Sequence, residues 1–269
     1  MNLSAALLML TMVQACALAA PPDSSQRSRD VRFTLDNYYN NEWKSAPDGH
    51  RWRFHYLWSD TLDSGFSQLG TIITKSGGVI DTLSSAPTDT ALARTKVYII
   101  VDPDTPKENP SPAYISDSAA RVISRWVYEG GVLLLFGNDS GNAEFHHLNR
   151  LASHFGIRFN ETSRNKVVGK DYAAGTFSEL PDHPMFYGVR KIYLKEISTL
   201  SVQKPARALL RAGGDVIIAT AEYGKGLVFA VGDPWFYNEY MDHRRLPEDY
   251  DNAKAAQNLV RWILRIKKP

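Results

Sequence analysis

Residues 132–148 read VLLLFGNDSGNAEFHHL, and the fold is decided there. The run from Val132 to Phe136 has no polar face, the pattern of a strand buried on both sides. It stops at Gly137-Asn138-Asp139-Ser140-Gly141. A helical pattern is expected from near Asn142, with Phe145, Leu148, Ala152 and Phe155 on one face. Strand, glycine turn and helix is the context of a nucleophile elbow, in which the middle residue of G-x-Nu-x-G is thrust above the sheet. That residue is Asp139, neither serine nor cysteine.

Outward from this stretch, strand patterns at 31–35, 78–83 and 96–101 alternate with helical ones at 65–76 and 116–130. Residues 156–159, 193–202, 208–211, 216–223 and 227–231 read as further strands, and 252–266 as a closing helix. The alternation predicts an α/β fold, a doubly wound and mostly parallel sheet of flavodoxin-like or class I glutamine-amidotransferase-like type, with a late antiparallel portion. One domain is expected over 31–269, behind a polar tether at 21–30.

The chain has 269 residues and a net charge of +2, which supplies no bulk electrostatic case for nucleic acid or an anionic membrane. Residues 1–20 are apolar and contain Ala17-Leu18-Ala19, an A-x-A cleavage pattern. Val13-Gln14-Ala15-Cys16 also resembles a lipobox. An exported protein is therefore expected, periplasmic, lipid-anchored at Cys16 or secreted. Cys16 is the only cysteine, so the domain is expected to have no internal disulfide, thiolate metal site or thiol nucleophile.

In open α/β sheets ligands bind beyond the carboxyl ends of the strands. Four predicted strands end in polar groups there: Asp36-Asn37, Asp102, Asn138-Asp139 and Asp233. At any one position capping of a loop or helix accounts for an Asp or Asn equally well. Glu144 and His147, three apart on a helix, can pair so that the carboxylate orients the imidazole, or can form a solvated face. His146-His147 lacks the spacing of H-E-x-x-H, and no metal is expected. Arg164 and Lys166 are candidates to meet a carboxylate or sulfate. Trp43, the cluster Trp52, Phe54, His55, Tyr56 and Trp58, and the run Trp235, Tyr237, Asn238, Glu239 and Tyr240 mix rings with polar tips, as a sugar-binding rim or a packed core would. No Walker A or G-x-G-x-x-G sequence occurs, so no nucleotide cofactor is expected.

The motifs FGNDSGNAEF, VDPDTPKEN and AVGDPWFYNEY together resemble the class I glutamine-amidotransferase-like module at the C-terminus of family 105 unsaturated rhamnogalacturonyl hydrolases. They also resemble stand-alone oligosaccharide dehydratases of ulvan-degrading bacteria. The amidotransferase cysteine is replaced by Asp139, so glutamine hydrolysis is not expected. The resemblance implies removal of water across C4–C5 of a non-reducing-end glucuronic or iduronic acid, in ulvan or pectin breakdown. The 4,5-unsaturated product would pass to a family 105 hydrolase as functional partner.

That chemistry needs a cation or amide at the substrate carboxylate (Arg164, Lys166 or Asn138), a base for H5 (His147, oriented by Glu144) and an acid for the leaving 4-hydroxyl (Tyr237, His55 or a protonated Asp139). Trp58, Asp233, Trp235, Asn238 and Glu239 would line the substrate. Two rivals stand beside it: a carbohydrate-binding module without catalysis, and a hydrolase in which Asp139 attacks as a nucleophile.

Overall fold

The computed structural model describes residues 31–266 apart from Glu239, and leaves the side chains of Trp235 and Phe236 undescribed. The expected export segment, Cys16, the tether and Glu239 therefore lie outside the described residues.

Five parallel strands form one half of the main sheet: β1 (Arg32–Asp36), β4 (Val79–Leu83), β5 (Val97–Val101), β6 (Val132–Phe136) and β13 (Gly226–Val231). Their spatial order is β4-β1-β5-β6-β13, so the order reverses between β1 and β5. Beyond β13 the sheet turns antiparallel through β12 (Asp215–Tyr223), β10 (Leu200–Val202) and β7 (Ile157–Phe159), with β11 (Ala206–Ala212) also on β12. Mostly parallel α/β architecture with a late antiparallel part is what the alternating patterns predicted.

Why the strands lie where they do follows from their composition. All five residues of β6 are buried. Val132, Leu134 and Phe136 point into one core with α1 (Ser67–Lys75) and α5 (Asn252–Ile266). Leu133 and Leu135 point into another with α2 (Asp89–Leu92), α3 (Asp117–Tyr128) and α4 (Phe145–Ser153). Alternate side chains of a strand face opposite sides, so a continuous apolar run must be covered by helices on both.

Local signals set most boundaries. Ser116 caps α3 by accepting the Ala119 N–H at 3.2 Å. Gly156 takes φ +75° after α4, where an added Cβ would stand 2.1 Å from the Gln203 carbonyl oxygen. Edge strand β7 is closed by Asn149 of α4, whose side chain accepts the Phe159 N–H at 2.7 Å and donates to the Phe159 carbonyl at 2.9 Å. One amide thus stands in for a missing strand.

Several expectations are corrected. The helix after the glycine turn begins at Phe145, not near Asn142, because residues 140–142 turn and Glu144 is the N-cap. The strand expected over 193–202 is two, β9 (Ile192–Tyr193), paired with β8 (Thr176–Phe177), and β10, interrupted where Glu196 takes φ +49°. The loop expected after β1 contains an exposed hairpin, β2 (Trp43–Ser45) and β3 (Arg51–Arg53).

Asn149→Ala is expected to lower stability by about 1–3 kcal/mol, since two backbone groups lose their partner. Denaturant unfolding measures the loss, and light scattering is expected to show association through the uncovered edge.

Candidate functional site

The carboxyl ends of β1, β5 and β6 hold a polar cluster centred on Asp102, which is 2% exposed. Tyr56 donates its hydroxyl to Asp102 Oδ2 at 2.9 Å, and the Asn138 amide donates to the same oxygen at 2.9 Å. Asn40 donates to the Asp102 carbonyl at 2.8 Å. Oδ1 of Asp102 is buried with no hydrogen-bond partner among the described residues. Burial, then the nearby Glu108, pushes the Asp102 carboxyl well above its ordinary range, and the bonds from Asn138 and Tyr56 oppose this only in part. A buried carboxyl left half-paired avoids its charge by keeping the proton.

Around it stand Glu42, Asp104 and Glu108. Asp104 accepts the Asn41 N–H at 3.0 Å and the Asn109 amide at 2.8 Å, and burial raises it to about 6. Glu108 is raised as well, by burial first. His55 Nδ1 lies 2.5 Å from Glu42 Oε1. With Nδ1–H donating to the carboxylate, the lone pair of the neutral ring sits on Nε2.

Among the described residues, five other than glycine have positive φ, and three of them are His55, Tyr56 and Asp102. Such conformations cost of the order of 1–3 kcal/mol each. Their meeting in one hydrogen-bonded cluster marks this place out from the other described loops.

A second imidazole–carboxylate pair flanks the same loop. The Glu144 N–H donates to the Pro103 carbonyl at 2.9 Å, fixing the start of α4 beside Asp102. Glu144 caps the helix at the His147 N–H and lies 3.1 Å from His147 Nδ1. The His147 ring stacks on Tyr114 at 4.6 Å. Both imidazole side chains are partly open, 28% for His55 and 24% for His147. The rim thus presents two Glu-backed imidazoles, an arrangement suited to giving and taking protons.

The glycine turn is not a strained elbow. Positive φ falls on Gly141, at +87°, and not on Asp139. Both Asp139 oxygens are engaged, Oδ1 by the Asn142 amide at 2.6 Å and Oδ2 by the Ser163 hydroxyl. Asn138, Asp139 and Ser163 therefore run on from Asp102 as one polar strip toward Arg164. Arg164 pairs with Asp215, and Lys166 is exposed.

Other expected residues are held by partners of their own. Tyr237 is fully buried, its ring stacked 4.3 Å from Phe136 in the core, and burial followed by Asp233 pushes its phenol far up. Asp233 accepts the Lys195 N–H at 2.9 Å, and Asn238 is buried. Trp58 donates Nε1–H to the Asp81 carbonyl at 2.8 Å and so covers the edge strand β4. Asp36 serves as a loop cap, accepting the N–H groups of Tyr38 and Tyr39 at 3.1 and 2.7 Å and the Tyr98 hydroxyl.

Glu42, Asp104 and Glu108 join the site without having been chosen from sequence, although VDPDTPKEN contains two of them, and Tyr56, named with the aromatic cluster, is buried against Asp102. Among the described residues no three His, Cys, Asp or Glu side chains are placed to hold a metal ion. No described helix is long and apolar enough to cross a membrane.

Burial raises Asp36 to about 6, as it does Asp104. Both hold protons more tightly folded than unfolded, so their contribution to stability is full below about pH 4 and is lost as pH rises through about 6. Asp36→Asn keeps the hydrogen bonds, with the Tyr98 hydroxyl turning to accept. It is expected to make the decline of unfolding free energy between those pH values shallower, as read from denaturant midpoints.

No family model matches the chain, and no curated protein matches it in sequence. Solved structures share its fold. The mmIFT52 N-terminal domain superposes with a TM-score of 0.64 at 18% identity, covering 86% of this chain and 96% of that one. Cytoplasmic protein STM1381 from Salmonella typhimurium LT2 gives 0.54 at 14%, covering 87% and 97%. The β-galactosidase from Rahnella sp. R3 gives 0.52 at 13%, covering 89% of this chain and 32% of the enzyme. At these identities the likeness is one of fold.

Proposed function

We propose that the chain is a carbohydrate-active lyase, a dehydratase that removes water from a non-reducing-end glucuronic or iduronic acid of an oligosaccharide. The observation that supports it is the pair of partly exposed, Glu-backed imidazoles held beside the strained Asp102 cluster. We read the parallel half-sheet, in which the second strand lies outside the first and the third to fifth follow in order, as flavodoxin-like and of class I amidotransferase-like type.

In this reading His147 Nε2 takes H5 of the uronic acid while Glu144 holds the ring through Nδ1. The electron pair of the C5–H bond becomes the C4=C5 double bond as the C4–O bond breaks. Protonated His55 donates to the departing hydroxyl, which leaves as water. Glu42 stabilises the imidazolium before that transfer. Asp102 is a positioning residue, because its oxygens are buried and it acts by anchoring Tyr56 and Asn138. The carboxylates crowd the β1–β5 end of the strip, so the substrate carboxylate lies toward Arg164 and Lys166, where the cations are. The unsaturated product is a substrate for a family 105 hydrolase, and export would place both activities with their polysaccharide.

One observation favours a second reading. Trp43 and Trp52, 45% and 40% exposed, project on the hairpin that leads into His55, as stacking platforms in a non-catalytic sugar-binding module would. With both Asp139 oxygens engaged, the nucleophilic hydrolase has less support.

Incubation of the protein with saturated, uronic-acid-terminated oligosaccharides, followed by ultraviolet absorbance and mass spectrometry, separates these readings. A growing ene-carboxylate chromophore with loss of one water and no chain cleavage is expected. His147→Ala and His55→Ala are each expected to lower turnover by about 10²–10⁴-fold with unchanged unfolding midpoints. Binding without any chromophore would overturn the lyase in favour of the sugar-binding module.

A further inference from the structure

We propose that the face opposite the rim carries a second binding site, a basic groove between α5 and the β11–β13 meander that takes an acidic oligosaccharide. Two adjoining cavities of about 780 and 440 Å³ share His183 and Trp262 as common wall. Each is within the size range of small-molecule sites, and end to end they suit an extended ligand. Leu227 and Glu222 line the first cavity at the amino end of β13, whose carboxyl end reaches the rim, so the groove is remote from the His55 and His147 imidazoles.

The charge of the groove is its distinguishing feature. Lys204 and Arg207 line the first cavity, and Arg261 and Arg265, one turn apart on α5, line the second. None of the four makes an ion pair among the described residues, although Glu222 and Asp182 line the same walls. Seven of the thirteen described arginines elsewhere are ion-paired, Arg32, Arg125, Arg150 and Arg190 among them, whereas none of those in the groove is. Guanidinium forks left open in a concavity fit carboxylates or sulfates.

Rings supply the rest of the recognition. Trp262 meets His183 edge-on at 4.7 Å and 76°, and Tyr187 at the outer end is 83% exposed. His183 Nδ1 accepts the Met185 N–H at 3.2 Å, which leaves its Nε2–H as a donor for a hydroxyl. Burial holds this imidazole below its ordinary pKa, so it stays neutral and does not add to the positive charge. Flat faces for sugar rings, a neutral donor for hydroxyls and forks for acidic groups together select an acidic sugar chain. A nucleic acid would call for a broader basic surface than a chain of net charge +2 offers. The choice of a sugar draws on the carbohydrate reading above; the groove does not depend on the rim's chemistry.

Isothermal titration of the full chain with a linear oligogalacturonate, a neutral maltooligosaccharide of the same length and an oligothymidylate tests the site. Oligogalacturonate is expected to bind in a salt-sensitive manner, with the neutral sugar far weaker. Arg207→Ala and Arg261→Ala are each expected to weaken it about tenfold, as loss of a charged hydrogen bond does. Neither arginine has a structural partner, so unfolding midpoints and any water-eliminating activity at the rim are expected to stay the same. Absence of oligogalacturonate binding, binding unchanged when Arg207→Ala and Arg261→Ala are combined, or equally tight oligothymidylate binding would each overturn the proposal. Absence of ene-carboxylate formation would overturn the dehydratase and leave this result standing.

Discussion

The central strands of this protein have almost no polar face. β5 and β6 are buried from end to end, and β13 with them, so each must be covered by helices on both sides. Tyr98 is the exception that shows the rule: its hydroxyl survives inside only by donating to Asp36 at the end of the neighbouring strand. With the interior closed to polar chemistry, titratable groups are driven to the two ends of the sheet. At the carboxyl end they are also drawn together, because parallel strands finish side by side.

The Asp102 cluster is a consequence of that geometry. The strand order reverses between β1 and β5, and the loops leaving these strands part in opposite directions and open a crevice. The β1 loop brings Asn40, Glu42, His55 and Tyr56 into it, and the β5 loop brings Asp102, Asp104 and Glu108. Neither set would be held without the other. Tyr56 and Asn138 bind one oxygen of Asp102, Asn40 binds its carbonyl, and the chain accepts left-handed backbone at three side-chain-bearing residues to do so. Strain of this kind persists only where surrounding contacts over-determine the conformation. The same contacts fix where His55 and His147 stand.

The two ends of the sheet differ in electrostatic character. Carboxylates collect at the β1–β5 end of the rim, several with raised proton affinity, whereas open cations collect around α5 on the far face. A modest net charge of +2 conceals this division. Bulk composition reports the sum, while ligand recognition depends on where each charge is placed.

Periodicity by itself determined the class of fold, since a run such as Val132–Phe136 can be satisfied only by cover on both faces and since capping signals such as Ser116 act within one turn. It also pointed to the strand ends and to Glu144 with His147, which meet because Glu144 stands outside α4 as its N-cap and reaches the first turn. Tertiary structure decided which of those strand ends matter. Asp36 became a loop cap and Tyr237 a core ring, while Asp102 became the centre of a cluster assembled from residues far apart in the chain. Sequence carries no local signal for such a meeting: whether a carboxyl is buried, half-paired and proton-holding depends on which distant side chains the side-by-side ends of β1, β5 and β6 bring to it.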